Sequence, residues 1–363
     1  MKTIGWSCGA LALALVGCAV TEGDTSSAVV DEGRRLFEHE TFDGNGRTCA
    51  TCHGKATGTV SPAEAQARFA ADPDDPLFRP IDSDDGAGTS YTRLLTDATI
   101  RVTLPLPAGW RLADDPTATT VTVRRAIPST LNVPALDPIL MADGRNTSLQ
   151  EQAHGAIDAH YEPDRQPTAA ELDLIAGHQV TKHFFSSKTL RDYADGGPAP
   201  TLPPGHSPAQ KRGRKWFVRS AAGICSHCHA GPMLNETSEF LQPPPGVIVP
   251  PGSRFFTAFV SELNKANAPV RTFIVTGPGG VETVVQSPDP GLALITGDPG
   301  TANLFRIPTL WGSAKTGPWF HDNSAKTLAD LAQHYSDYFT IVLGTGLTAQ
   351  DQADIIAYLK LLD

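Results

Sequence analysis

The chain has 363 residues, 40% apolar and 19% charged, with a formal net charge of −10. That length suits two domains more readily than one, and an acidic balance without a basic stripe argues against a nucleic-acid partner. No apolar run reaches the roughly 18 residues of a membrane-spanning helix, and six cysteines are too few for a disulfide framework.

Residues 1–18 (MKTIGWSCGALALALVGC) set Lys2 before a short apolar stretch, the layout of an export signal. Leu15-Val16-Gly17-Cys18 resembles the bacterial lipoprotein box. On that reading residues 1–17 are a signal peptide, Cys18 is the lipidated N-terminus, and residues 18–30 are a polar tether. The protein would then be periplasmic or anchored to the outer membrane, touching a membrane only through its lipid. An ordinary secretory signal cut later, or a buried helix, is the alternative.

Asp31–Phe42 has the pattern of an amphipathic helix and runs into the turn signals of Thr41–Arg47. Ser61–Ala70 predicts a short helix, and alternation in Ile100–Leu106 and Thr119–Arg124 predicts a strand pair. Helices are expected at Ser148–Ala159, Thr168–Phe185 and Ser207–Ala221, with the Pro/Gly-rich stretch 196–206 as a linker. Residues 243–252 form a second punctuated loop. Arg271–Val275 and Val281–Val285 flank Gly-Pro-Gly-Gly as a hairpin, and Thr348–Leu362 closes the chain as a helix with Thr348 as N-cap. The expected fold is therefore mainly α with small β-hairpin insertions. Its domains are an N-terminal one at 31–200 and a C-terminal one at 206–363.

The cysteines carry the chemistry. Cys49-Ala-Thr-Cys52-His53 and Cys225-Ser-His-Cys228-His229 are both C-x-x-C-H, the attachment sequence of covalent haem c. Two thiols so spaced on a helical turn reach the two vinyl groups of one porphyrin, and the adjacent imidazole reaches its iron. A Cys₄ zinc site would bring the pairs about 15–20 residues apart, and these lie in opposite halves. A redox C-x-x-C needs no trailing His. Disulfides are open to an exported protein, yet two haems use four cysteines, and Cys8 and Cys18 fall in the leader.

The chain resembles the bacterial dihaem cytochrome c peroxidase and MauG family. The resemblance rests on Gly33–Gly54, Arg125–Glu162, Ile224–Leu234, Phe305–Tyr335 and the closing Leu347–Leu362, in the family's order. It implies two cytochrome c-like haem domains, the first peroxidatic and the second for electron transfer. It puts Gln152 and Glu162 at the catalytic positions over the first iron: an amide to orient H₂O₂, and a carboxylate to take and return its proton. No histidine lies between Gly54 and Ala153, so the loop after the first motif cannot block that iron, and an open first haem is expected. His154 and His160 are the rival ligands. At the second haem, family peroxidases commonly place a Met past the Pro-Tyr-Phe-His-Asp-Gly block. Here the block is Pro318-Trp319-Phe320-His321-Asp322-Asn323 and the matching residue is Tyr335, as in MauG. A phenolate favours ferric iron. His321 is then expected at the haem edge, with His334 a weaker competitor for the metal.

Two departures qualify the resemblance. The family often has a Trp before Asp-Gly-Arg, between the haems. Here Ala142 precedes Asp143-Gly144-Arg145, leaving Trp311 or Trp319 as candidate electron routes. An Asn that helps hold Ca²⁺ in relatives is Ala126 here, so calcium would need backbone and water ligands. The function implied is that of an exported dihaem peroxidase fed by an electron-donor protein; the acidic chain would steer a cationic cytochrome. The alternatives are MauG-like oxidation of residues on a partner protein, or a non-enzymatic dihaem electron-transfer cytochrome.

Overall fold

The computed structural model describes residues 27–243 and 249–362. The export signal, Cys18, residues 18–26 of the expected tether and part of the 243–252 loop lie outside them. The fold is mainly α, about 39% helical, with small sheets.

Each half is built on the same plan. An opening helix, Ser27–His39 or Pro208–Phe217, crosses a closing helix, Ala169–Gln179 or Ala349–Leu359. Glycine makes both crossings close. A Cβ on Gly33 would sit 2.4 Å from the Leu174 carbonyl oxygen, and one on Gly213 would sit 2.0 Å from that of Asp354. In the N-terminal half, Leu36, Phe37 and Ile175 fill the crossing. In the C-terminal half, Phe217 packs on Tyr358 at 5.3 Å between ring centroids. Between opening and closing helix each half places its C-x-x-C-H turn and then a longer helix, Leu149–His160 or Leu328–Leu343. Ser148 and Thr327 cap these by accepting from the Glu151 and Asp330 N–H groups. The opening helix starts at Ser27, earlier than its apolar stripe suggests, so the expected tether ends inside a helix. The Leu328–Leu343 helix was not among the expected elements.

The strand pair Thr99–Pro105 and Thr120–Ala126 and the hairpin Arg271–Thr276 with Glu282–Ser287 form as expected. The sequence reading missed a three-residue strand, Trp110–Leu112, which pairs antiparallel with Arg271–Thr276. It joins the β segments of both halves into one core, where Trp110 meets Phe273 at 5.7 Å. Chain order and core membership part again at Leu190, which precedes the 196–206 stretch yet packs in the C-terminal core.

Candidate functional site

Each C-x-x-C-H turn lines its own cavity. The N-terminal cavity is walled by Cys49, Cys52 and His53, and the C-terminal one by Cys225, Cys228 and His229. His53 Nδ1 lies 2.8 Å from the Gly58 carbonyl oxygen, and His229 Nδ1 lies 2.8 Å from that of Leu234. A carbonyl at Nδ1 fixes the tautomer with its proton there and leaves Nε2 with a lone pair for a metal. Burial lowers the pKa of both imidazoles, His229 to about 4, so both rings are neutral at neutral pH. Burial also raises the thiols: Cys49 to about 11, Cys225 and Cys228 to about 12, with Cys52 raised as well. All four thiols are free rather than disulfide-bonded, the form that adds S–H across a vinyl group. Among the described residues no group of three or more His, Cys, Asp and Glu side chains is set to hold a metal ion, so the two pairs do not converge on one zinc. Two thiols and one oriented imidazole beside each cavity fit covalent haem c.

One stripe of the Leu149–His160 helix faces the N-terminal cavity: Leu149, Gln152, Ala153, Ala156, Ile157 and His160. The spacing of three and four is that of a single helix face. Gln152 is on that stripe. Glu162 is not. The helix ends at His160, Tyr161 caps it with a buried ring, and Glu162 follows at φ 50°. That left-handed turn carries its carboxylate to the surface, where Oε2 accepts from Asn45 Nδ2 at 2.9 Å. Glu162 is exposed and absent from the cavity wall. His154 is likewise exposed, 3.6 Å from Asp158. His160, unlike His154, is on the stripe, where Gln152 and His160 are the polar groups.

Counting both long helices from their first residue aligns Leu149 with Leu328, Ala153 with Ala332 and Ala156 with Tyr335. Tyr335 lines the C-terminal cavity, and a methyl group takes the same place in the N-terminal one. Among the described residues the Tyr335 hydroxyl has no hydrogen-bond partner, while the buried Tyr358 donates to the Pro203 carbonyl at 2.8 Å and Tyr161 to Cys49 Sγ at 3.3 Å. Tyr335 is half-buried, against the cavity it lines. Burial raises the Tyr335 pKa well above its usual value, so only a strong positive centre would draw off its proton. Tyr338, one turn on, lines the same cavity and went unremarked in the sequence. His334 is turned away: it is buried, with Nε2 2.7 Å from the Ala258 carbonyl oxygen, and it does not line the cavity. His321 does line it, stacked on Phe305 at 3.6 Å.

The two cavities share a partition. Ile127, Pro128, Ser129, Val133 and Arg306 line both. Asp137 pairs with the Arg306 guanidinium, which also donates from Nε to the Met141 carbonyl at 3.1 Å. Trp311 and Trp319 line the C-terminal cavity only, so neither crosses the partition. Where the resemblance places calcium, Ala126 gives its N–H to the His321 carbonyl at 2.7 Å. The adjacent Arg125 is buried between Asp143 and Asp289.

No family model and no curated protein matches the chain, but solved structures do. A MauG-like protein associated with microbial copper homeostasis is similar over 93% of this chain and 89% of its own, at 19% identity and a TM-score of 0.52. The dihaem peroxidase BthA from Burkholderia thailandensis E264 is similar over 93% and 86%, at 15% identity and a TM-score of 0.47. A chain of Kuenenia stuttgartiensis hydrazine synthase is similar over 99% and 98%, at 16% identity and a TM-score of 0.45. At these identities the likeness is one of fold, and the first of the three carries it. The chain has the fold of a MauG-like protein.

Proposed function

We propose that this chain is a dihaem c-type oxidoreductase that reduces hydrogen peroxide in its N-terminal cavity, with electrons routed through the C-terminal one. The observation that carries the reading is Ala156 standing where the other half has Tyr335: two C-x-x-C-H sites on one plan, one with an oxygen ligand to offer and one left open. Cys49, Cys52 and His53 would hold the first haem, and Cys225, Cys228, His229 and Tyr335 the second. Bound there, haem supplies an iron that takes peroxide at one site and exchanges electrons at the other. The residues around it do the rest. The Gln152 amide can donate to one peroxide oxygen and accept from the other, and Ala153, Ala156 and Ile157 keep that wall apolar. The reductant is an electron-donor protein, with a cationic cytochrome favoured by the acidic chain. The leader-like N-terminus supports a periplasmic protein or an outer-membrane-anchored lipoprotein lipidated at Cys18.

A second reading, MauG-like oxidation of residues on a partner protein, is favoured by the unpartnered Tyr335 phenol, since a hard anionic ligand supports ferric and higher states. A purely electron-transferring cytochrome would need a ligand at both irons; Ala156 cannot be one, so it would have to use His160 or Met141, which line the same cavity. Electron paramagnetic resonance of the resting ferric holoprotein tests the proposal. One high-spin and one low-spin signal are expected, followed by a change in the high-spin signal on stoichiometric H₂O₂. Two low-spin signals, or no response to peroxide, would overturn it.

A further inference from the structure

We infer that His160 is the proton shuttle for peroxide in the N-terminal cavity, a deepening that rests on the peroxidase reading above. Three observations place it there. His160 is the last residue of the cavity-facing stripe, two turns beyond Gln152, so the amide and the imidazole look into one space. Its Nδ1 is buried and has no hydrogen-bond partner, a costly state for a polar atom unless the group has work to do. Behind it stands Asp82, with Oδ2 at 3.9 Å from Nδ1, held by Arg47 Nη1 at 2.5 Å and by the Arg101 N–H at 2.6 Å.

The electrostatics suit a base. Burial lowers the pKa of His160 to about 4; Asp82 acts against that shift, and Arg47, Arg145 and His53 add to it. The ring is therefore neutral at neutral pH and free to accept a proton. Once it does, the Asp82 carboxylate stabilises the imidazolium. Arg47 also lines the cavity, with its guanidinium paired to Asp82.

The O–H bond on the peroxide oxygen nearer the iron breaks, and its proton goes to His160. The O–O bond then breaks with its electron pair leaving on the far oxygen, which takes the proton from His160 and departs as water. With haem bound, two electrons supplied by the external donor and two protons from solvent would complete H₂O₂ + 2e⁻ + 2H⁺ → 2H₂O.

The test is stopped-flow reaction of the holoprotein with H₂O₂, comparing wild type with His160→Ala and His160→Gln. General acid–base catalysis is worth about 10²–10⁴-fold, so both variants should lose at least about 100-fold in the second-order rate constant. The control His154→Ala, on the exposed face, should stay within about twofold. Cyanide association gives a readout without turnover. Hydrogen cyanide must lose its proton to bind as the anion, so His160→Ala should slow it comparably, while the resting high-spin signal stays unchanged. Peroxide and cyanide rates in both variants within about threefold of wild type would overturn the inference. So would a low-spin first haem that turns high-spin in His160→Ala, which would make His160 a ligand. If wild type itself ignores peroxide, the peroxidase reading fails, and the cyanide rates still decide the role of His160.

Discussion

Arg125 and Asp289 lie 164 residues apart in sequence and meet through two hydrogen bonds, from Nε at 2.6 Å and from Nη2 at 2.9 Å, both buried. Asp143 takes the remaining Arg125 nitrogen, and Arg145 donates to the same carboxylate at 2.8 and 2.9 Å. Removing one partner of such a cluster strands a charge in the interior, at about 3–5 kcal/mol. Arg125→Met and Asp289→Asn should each lower the unfolding free energy by that order, read as a shift in the urea midpoint at unchanged slope.

Haem content separates the two motifs. The double variant Cys49→Ala/Cys52→Ala should carry one covalent haem and Cys225→Ala/Cys228→Ala the other, each counted by intact mass against a wild type with two. A wild type without haem mass after co-expression with a haem-attachment system would remove the basis of the functional reading.

Tyr335 is the proposed ligand of the second haem. Axial ligands shift haem potentials across about 0.8 V, so exchanging an oxygen ligand for a thioether in Tyr335→Met should raise the potential of that haem by on the order of 0.1 V or more in a spectroelectrochemical titration. Tyr335→Phe should turn its low-spin signal high-spin. No change in either variant would point to Tyr338, which lines the same cavity.

Acid should weaken the fold partly through His160. Its folded pKa, about 4, lies below the ordinary value of 6.5, so from pH 6.5 down to about 4 the unfolded chain binds a proton that the folded one refuses. Stability attributable to this group is therefore full above pH 6.5, falls by up to about 3 kcal/mol across that window, and is flat below it. His160→Gln should flatten the slope of the holoprotein's urea midpoint between pH 6.5 and 4.

The two C-x-x-C-H turns were legible because that motif has a fixed local spacing, and a cavity lies beside each of them. Helix ends were legible where a cap and its partner lie three residues apart, as at Thr348 and Asp351 or Ser148 and Glu151. Glu162 was not, because one left-handed residue after a helix cap redirects a side chain and leaves no periodic trace. His160 carried a readable signal: it stands eight residues from Gln152 and seven from Ala153, on the same helix face. The Leu328–Leu343 helix also had its signal, a Thr327/Asp330 capping box. The pairing of Trp110–Leu112 with a strand more than 150 residues later rests on long-range register, which no local pattern encodes.

The partition of Ile127, Pro128, Ser129, Val133 and Arg306 is one layer of chain seen from two sides. With a haem in each cavity, the two irons would not titrate as strangers. An electron added behind one face would be felt through that layer and make the second harder to add, so a reductive titration should show two steps split by their mutual repulsion. Arg306, paired with Asp137 within the layer, faces both cavities, so Arg306→Met should lower both potentials together while leaving both C-x-x-C-H sites intact.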